Sequence, residues 1–173
     1  MQTLVLAFIG DDSPGLVHAL AEVLSDHDGN WENSHMTSVG GMFAGVLEVS
    51  VAPDKRDALM EDFRALDGML DVMVRPTTSP DVHSATTSTL QVTGPDGNGI
   101  VERFSAMLAR SRMTMCHFAS ETCESTDGGA PVLRFTSSLV PCDGAGIDDL
   151  RADLAQMESE LGVDVVVTTP PTA

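Results

Sequence analysis

The octapeptide GDDSPGLV, Gly10 to Val17, returns in altered form as GPDGNGIV, Gly94 to Val101, 84 positions later. Each copy follows an apolar run with strand character and precedes an apolar stripe at helical spacing. One strand-to-helix turn is enough to reverse a chain. A second one, halfway along 173 residues, points to a fold built twice.

Reading the halves in parallel extends the repeat. Thr3 to Ile9 is expected as a first strand ended by Gly10, with Ser13 as N-cap and Pro14 at the first helical position. Leu16, Val17, Leu20, Val23 and Leu24 then form a stripe that should face a sheet, and Gly29 should stop the helix. In the second half Leu90 and Val92 lead to Gly94, Asn98 takes the cap position, and Ile100, Val101, Phe104 and Leu108 repeat the stripe. Asn30 to Val39 and Met42 to Val51 read as a hairpin about Gly40 and Gly41. Their counterparts are Thr114 to Ser120 and Val132 to Val140, joined by a Gly-rich loop from Glu121 to Pro131. A helix follows each return strand, through Leu59, Phe63 and Leu66, and through Ile147, Leu150, Leu154, Met157 and Leu161. Strands from Leu70 and Val163 close the halves.

Each half is therefore expected to be βαββαβ, a ferredoxin-like α+β unit with an antiparallel sheet and both helices on one face. The expected boundaries are residues 1–76 and 88–173, with 77–87 as linker inside the Pro/Ser/Thr-rich stretch RPTTSPDVHSATTS. The free face of each sheet then needs cover wherever it is apolar.

Charge limits the partners. With 26 acidic and nine basic residues the formal net charge is −17, which repels phosphate backbones and anionic membranes alike. No direct nucleic-acid binding is expected, and no membrane span, since no apolar run approaches roughly 18 residues. The opening MQTLVLAFIGDD reads as a strand, not as a leader. Three cysteines, Cys116, Cys123 and Cys142, make no disulfide framework, so a reducing cytoplasm is the simplest compartment.

The repeated turn carries the chemistry. Its glycines, Gly10 and Gly15 or Gly94, Gly97 and Gly99, allow close backbone approach, and the helix that follows presents free N–H groups to an anion. A nucleotide phosphate fits poorly. Neither copy has the G-x-G-x-x-G spacing or a P-loop lysine, and Asp12 and Asp96 would repel phosphate oxygens. A small zwitterion fits better, its carboxylate on the helix N–H groups and its ammonium near Asp12 or Asn30. Read locally, Asp12 could equally complement a helix dipole and Asn30 end a turn.

The DxPGLV turn, the asparagine opening the second strand and the βαββαβ order resemble an ACT domain. Two such units with no enzyme attached resemble the family of glycine cleavage system transcriptional repressors. The resemblance implies sensing of a small ligand, usually an amino acid, where neighbouring ACT units meet, and control of a partner protein such as a transcription factor. A homo-oligomer is expected, and no cofactor. Carried over by position, the ligand set is Asp12, Ser13, Pro14, Gly15, Leu16 and Asn30, with Asp96, Asn98, Gly99 and Ile100 in the second unit. Asn98 stands where the first unit has Pro14, and Thr114 where it has Asn30, so one working site and one degenerate copy are expected.

Other constellations are weaker. Cys116, His117 and Cys123 lack zinc spacing, and adjacent strand residues such as Cys116 and His117 should diverge to opposite faces. Ser13 lacks the G-x-S-x-G elbow of a nucleophile. Catalysis is not expected. The alternative to a sensor is a structural interaction module that assembles through sheet edges and faces without a physiological ligand.

Overall fold

The computed structural model describes residues 1–66, 68–77, 87–125, 128–142, 145 and 150–169. The chain divides into two compact units, Met1–Pro80 and Asp81–Ala173. The expected linker lies largely outside the described residues. Its quoted flanks do not: Arg75 and Pro76 close one strand and Ser88 opens the next.

In the first unit the order is β1 (Gln2–Asp11), α1 (Leu16–Asp26), β2 (Asn30–Val39), β3 (Met42–Val51), α2 (Arg56–Arg64) and β4 (Asp71–Pro76). The second repeats it as β5 (Ser88–Pro95), α3 (Ile100–Arg110), β6 (Met113–Cys123), β7 (Val132–Pro141), α4 (Arg151–Leu161) and β8 (Asp164–Thr168). The sheets are ordered β2-β3-β1-β4 and β6-β7-β5-β8, with every neighbouring pair antiparallel. This is the expected tandem ferredoxin-like α+β architecture.

Each core is one sheet face closed by its two helices. Leu4, Leu6 and Phe8 alternate along β1 and meet Leu16, Leu20 and Leu24 of α1 and Leu59 and Phe63 of α2. Leu90 and Val92 of β5 do the same with Ile100, Phe104 and Leu108 of α3 and Leu154 and Met157 of α4. Val17 and Val101, expected to face the sheet, are instead exposed on the first turn of each helix. Helix spacing alone does not say how wide the buried stripe is.

The repeat persists in backbone detail. Both hairpins carry an irregularity at the same place, between Trp31 and Asn33 and between Met115 and His117, which leaves Glu32 and Cys116, 84 residues apart, as the bulged residues. The bulge also undoes the strict alternation expected for Cys116 and His117. After α1 and α3 the chain turns through left-handed residues that are not glycine, Asp28 (φ 50°) and Arg112 (φ 55°). Gly29, expected as the stop, donates its N–H to Leu24 O at 3.0 Å, while the left-handed position falls one residue earlier. A Cβ on Gly29 would come within 2.3 Å of Leu24 Cδ1, so close approach explains the glycine.

Several expected boundaries move. β1 runs on through Gly10 to Asp11, because Gly10 and Asp11 keep their ladder partners Phe43 and Met42. β6 continues to Cys123, pairing Glu121 with Arg134 where a loop was expected. α2 ends at Arg64, so Leu66 lies beyond it, and α4 begins at Arg151; Ile147 lies outside the described residues.

Candidate functional site

The first-unit turn leaves β1 at Asp11 and enters α1 at Leu16. Its position is fixed by the neighbouring hairpin: Asp12 donates its N–H to Gly41 O at 2.9 Å, and Asp96 likewise to Pro131 O at 2.7 Å. Ser13 and Asn98 do not cap their helices, and Pro14 is not in the first helical turn. The N-cap residues are Gly15 and Gly99, left-handed at φ 98° and 83°, with no side-chain cap in either case. Their carbonyls accept the first helical bonds, from Ala19 and Arg103 at 2.9 Å. Local propensity favours Ser13 and Pro14, but a chain latched to the hairpin at Asp12 must turn sharply to bring Leu16 into the core, and a glycine makes that turn without a Cβ penalty.

The helix start is therefore open. Nothing lies within 4 Å of where a Gly15 Cβ would be, and Asp12, Ser13, Pro14 and Gly15 are all exposed. A shallow cavity of about 400 Å³ is lined there by Asp12, Ser13, Gly15, Leu16, Val17, His18, Ser38 and Phe43. Val17, His18, Ser38 and Phe43 were not anticipated. Ser38 and Phe43 come from the β2–β3 hairpin, and only the strand register reveals that they approach the turn. The N–H groups of Leu16, Val17 and His18 have no partner inside the helix by its geometry, and no acidic side chain occupies the first turn of α1. In the second unit Glu102 stands where the first has His18, with its Oε2 4.0 Å from a Cβ placed on Gly99. The second helix start carries its own carboxylate.

Asn30 is not at this cavity. β1 and β2 both pair antiparallel with β3, so they run in one direction, and Asn30 shares a ladder row with Ser50 and Thr3. That row lies roughly 25 Å from Asp11 at the rise of a β-strand. Within one unit, Asp12 and Asn30 cannot hold the same small ligand. The Asn30 amide instead donates to Glu32 Oε1 at 3.0 Å, which also accepts from the Ser50 hydroxyl. These bonds, the Ser50 one foremost, hold the Glu32 carboxyl below the usual carboxylate range. The second unit replaces this trio: Thr114 Oγ1 lies 3.1 Å from Cys142 Sγ.

Among the described residues no group of three or more His, Cys, Asp or Glu side chains could hold a metal ion, and no helix is long and apolar enough to cross a membrane. Met107 and Met157 are core residues, and Trp31 packs against the first core with its indole N–H donating to Ser34 Oγ at 3.3 Å.

The family model for the ACT domain matches residues 2–77. The glycine cleavage system transcriptional repressor of Escherichia coli (strain K12) is 25% identical over 171 residues, covering 94% of this chain and 90% of that protein; its Shigella flexneri counterpart matches equally. A crystal structure of an unknown protein from Galdieria sulphuraria superimposes with a TM-score of 0.83 at 25% identity, covering 98% of this chain and 99% of the other. A candidate glycine cleavage system transcriptional repressor shares the fold with a TM-score of 0.73 at 18% identity, over 99% and 98% of the two chains. The repeat in the sequence, the two βαββαβ units and these matches agree: the first unit matches the ACT-domain family, the second repeats its fold, and the chain as a whole resembles the glycine cleavage system transcriptional repressors.

Proposed function

We propose that the protein is a regulator that binds a small amino acid at the first-unit turn and thereby alters its affinity for a protein partner, in control of amino-acid metabolism. The cavity at the start of α1, with its acid-free first turn, carries this reading. The ligand carboxylate sits on the N–H groups of Leu16 to His18, where the helix dipole favours negative charge. The ammonium lies toward Asp12. Glu102 disfavours an anion at the equivalent place in the second unit, which supports a single working site. The E. coli relative is a transcriptional repressor in glycine cleavage, and glycine is the first ligand to try.

Isothermal calorimetry with the common amino acids tests this. Asp12→Ala is expected to weaken binding about ten- to a hundredfold by removing a charge-assisted contact, and Asp96→Ala to leave it unchanged. Gly15 is a poor probe, since at φ 98° any side chain strains the helix start itself. Asn30→Ala separates a site within one unit, where affinity stays the same, from one completed by a neighbouring copy, where it falls. Equal binding by wild type and Asp12→Ala would put the ligand elsewhere.

Regulation, on this reading, runs through a protein and not through contact with DNA. A net charge of −17 with a single lysine, Lys55, offers few of the phosphate contacts that dominate such affinity. No shift is expected in a low-salt gel assay with the purified protein. Tight, salt-sensitive retardation would contradict this.

A further inference from the structure

The two units share a fold but not the chemistry of the sheet face that their helices leave uncovered. In the first, the residues alternating with the core include Val5, Ala7 and Ile9 on β1, Ala44, Val46 and Glu48 on β3, and Asp71, Met73 and Arg75 on β4, so an apolar centre is flanked by charges. Ile9, Val46 and Met73 are 45%, 48% and 56% exposed. At the matching places on β5 the second unit has Thr89, Gln91 and Thr93, and Arg134 on β7 donates to Glu121 across that face at 3.1 Å. The fold therefore does not demand an apolar outer face. Leaving one in water is unfavourable, and a contiguous patch of this kind marks an interface.

We propose that this face of the first unit packs against the same face of a second copy of the chain, forming a two-fold dimer. Three observations select that occupant. Met73, Ala7 and Val46 of the central row carry no charge, and a two-fold axis along that row sets Glu48 of the flanking row over Ala44 of the second copy, so two chains of net charge −17 meet here without stacking like charges. Next, β4 brackets Met73 symmetrically with opposite charges, Asp71 two residues before it and Arg75 two residues after. Among the described residues neither has an ion-pair partner; Arg75 Nη2 lies along the face at 3.8 Å from Met73 Sδ. A two-fold axis along the central row keeps β4 over β4 and reverses its direction, setting each Asp71 over Arg75 of the second copy and Ile9 over Val5. Finally, a cavity of about 320 Å³ opens on this face between β1 and β4, lined by Ala7, Phe8, Ile9, Asp71, Val72 and Met73. It offers room for the flexible Met73 side chain of the second copy as the sheets close to about 10 Å.

Sedimentation velocity of the full chain tests this, with circular dichroism and Trp31 fluorescence confirming that each variant folds. The wild type is expected to be dimeric at micromolar concentration. Val46→Glu, an outer-face change that leaves the core intact, should raise the dissociation constant at least about a hundredfold by burying an unpaired carboxylate on each side. Asp71→Arg and Arg75→Asp should each weaken the dimer about tenfold, and the double exchange should restore it. A monomeric wild type overturns the proposal, whether the face is then covered within its own chain or by a different protein. So does a dimer that Val46→Glu leaves intact, or a double exchange no tighter than its parents.

Discussion

Gly10→Ala is expected to destabilise the first unit by about 3 kcal/mol, at the upper end for overpacking a tight site. A Cβ at Gly10 would stand 2.2 Å from the carbonyl oxygen of Met69 and 3.0 Å from Leu70 Cδ2. The first obstacle is backbone, which no rotamer change relieves, so the segment entering β4 must shift and take its pairing with Ile9 along. Gly94→Ala meets the same crowding in the second unit, but its nearest neighbour, at 2.5 Å, is the Val163 side-chain atom Cγ1. A comparable loss is expected there, because the Val163 Cα and Cβ also stand at 2.9 Å and a rotamer change moves neither.

The chain carries the means to tell the two effects apart. Trp31 is its single tryptophan, tyrosine is absent, and the indole packs against the first core. Fluorescence during urea unfolding thus follows the first unit, while circular dichroism follows both. Gly10→Ala should lower the fluorescence midpoint, and Gly94→Ala should lower only the dichroism. An unchanged fluorescence midpoint for Gly10→Ala would mean that the Met69 segment moves aside at no cost.

These glycines also show what could be read from sequence and what could not. Gly10 and Gly94 are conspicuous as a repeated pair, and the 84-residue offset they define carries through the bulges at Glu32 and Cys116 and the left-handed Asp28 and Arg112. Alternation and helical spacing were sufficient for the elements because each core is one sheet face and two helix stripes. Their ends were harder. Ser13, Pro14 and Asn98 are good local signals for a helix start, and the latches from Asp12 to Gly41 and from Asp96 to Pro131 override them from positions far along the sequence. The site was legible only in part for the same reason. Asp12, Gly15 and Leu16 are neighbours in sequence and in space, whereas Ser38 and Phe43 join them, and Asn30 leaves them, through strand register alone. The contrast between His18 and Glu102 becomes meaningful only once the helix start is known.

Phe104→Ala should cost the second unit about 3–5 kcal/mol, the range for deleting a large buried aromatic side chain. Phe104 is 1% exposed at the middle of α3 and meets Phe135 of β7 edge to face, with ring centroids 5.3 Å apart. Phe135 in turn lies 5.5 Å from Phe118 of β6, so the helix is joined to two strands through one aromatic series. Truncation removes the ring, the edge-to-face contact and the packing around both, and the backbone of a helix held at Ile100 and Leu108 cannot collapse to fill the space. The equivalent residue in the first unit is Leu20, fully buried in a core of the same design, so an aliphatic side chain is compatible with this place in the fold. Phe104→Leu should accordingly lose clearly less than Phe104→Ala, at about 1–2 kcal/mol. Both variants should leave the Trp31 fluorescence midpoint in place while lowering the dichroism midpoint. A Phe104→Ala protein that unfolds with the wild type by dichroism would show that the second core is not organised around this ring.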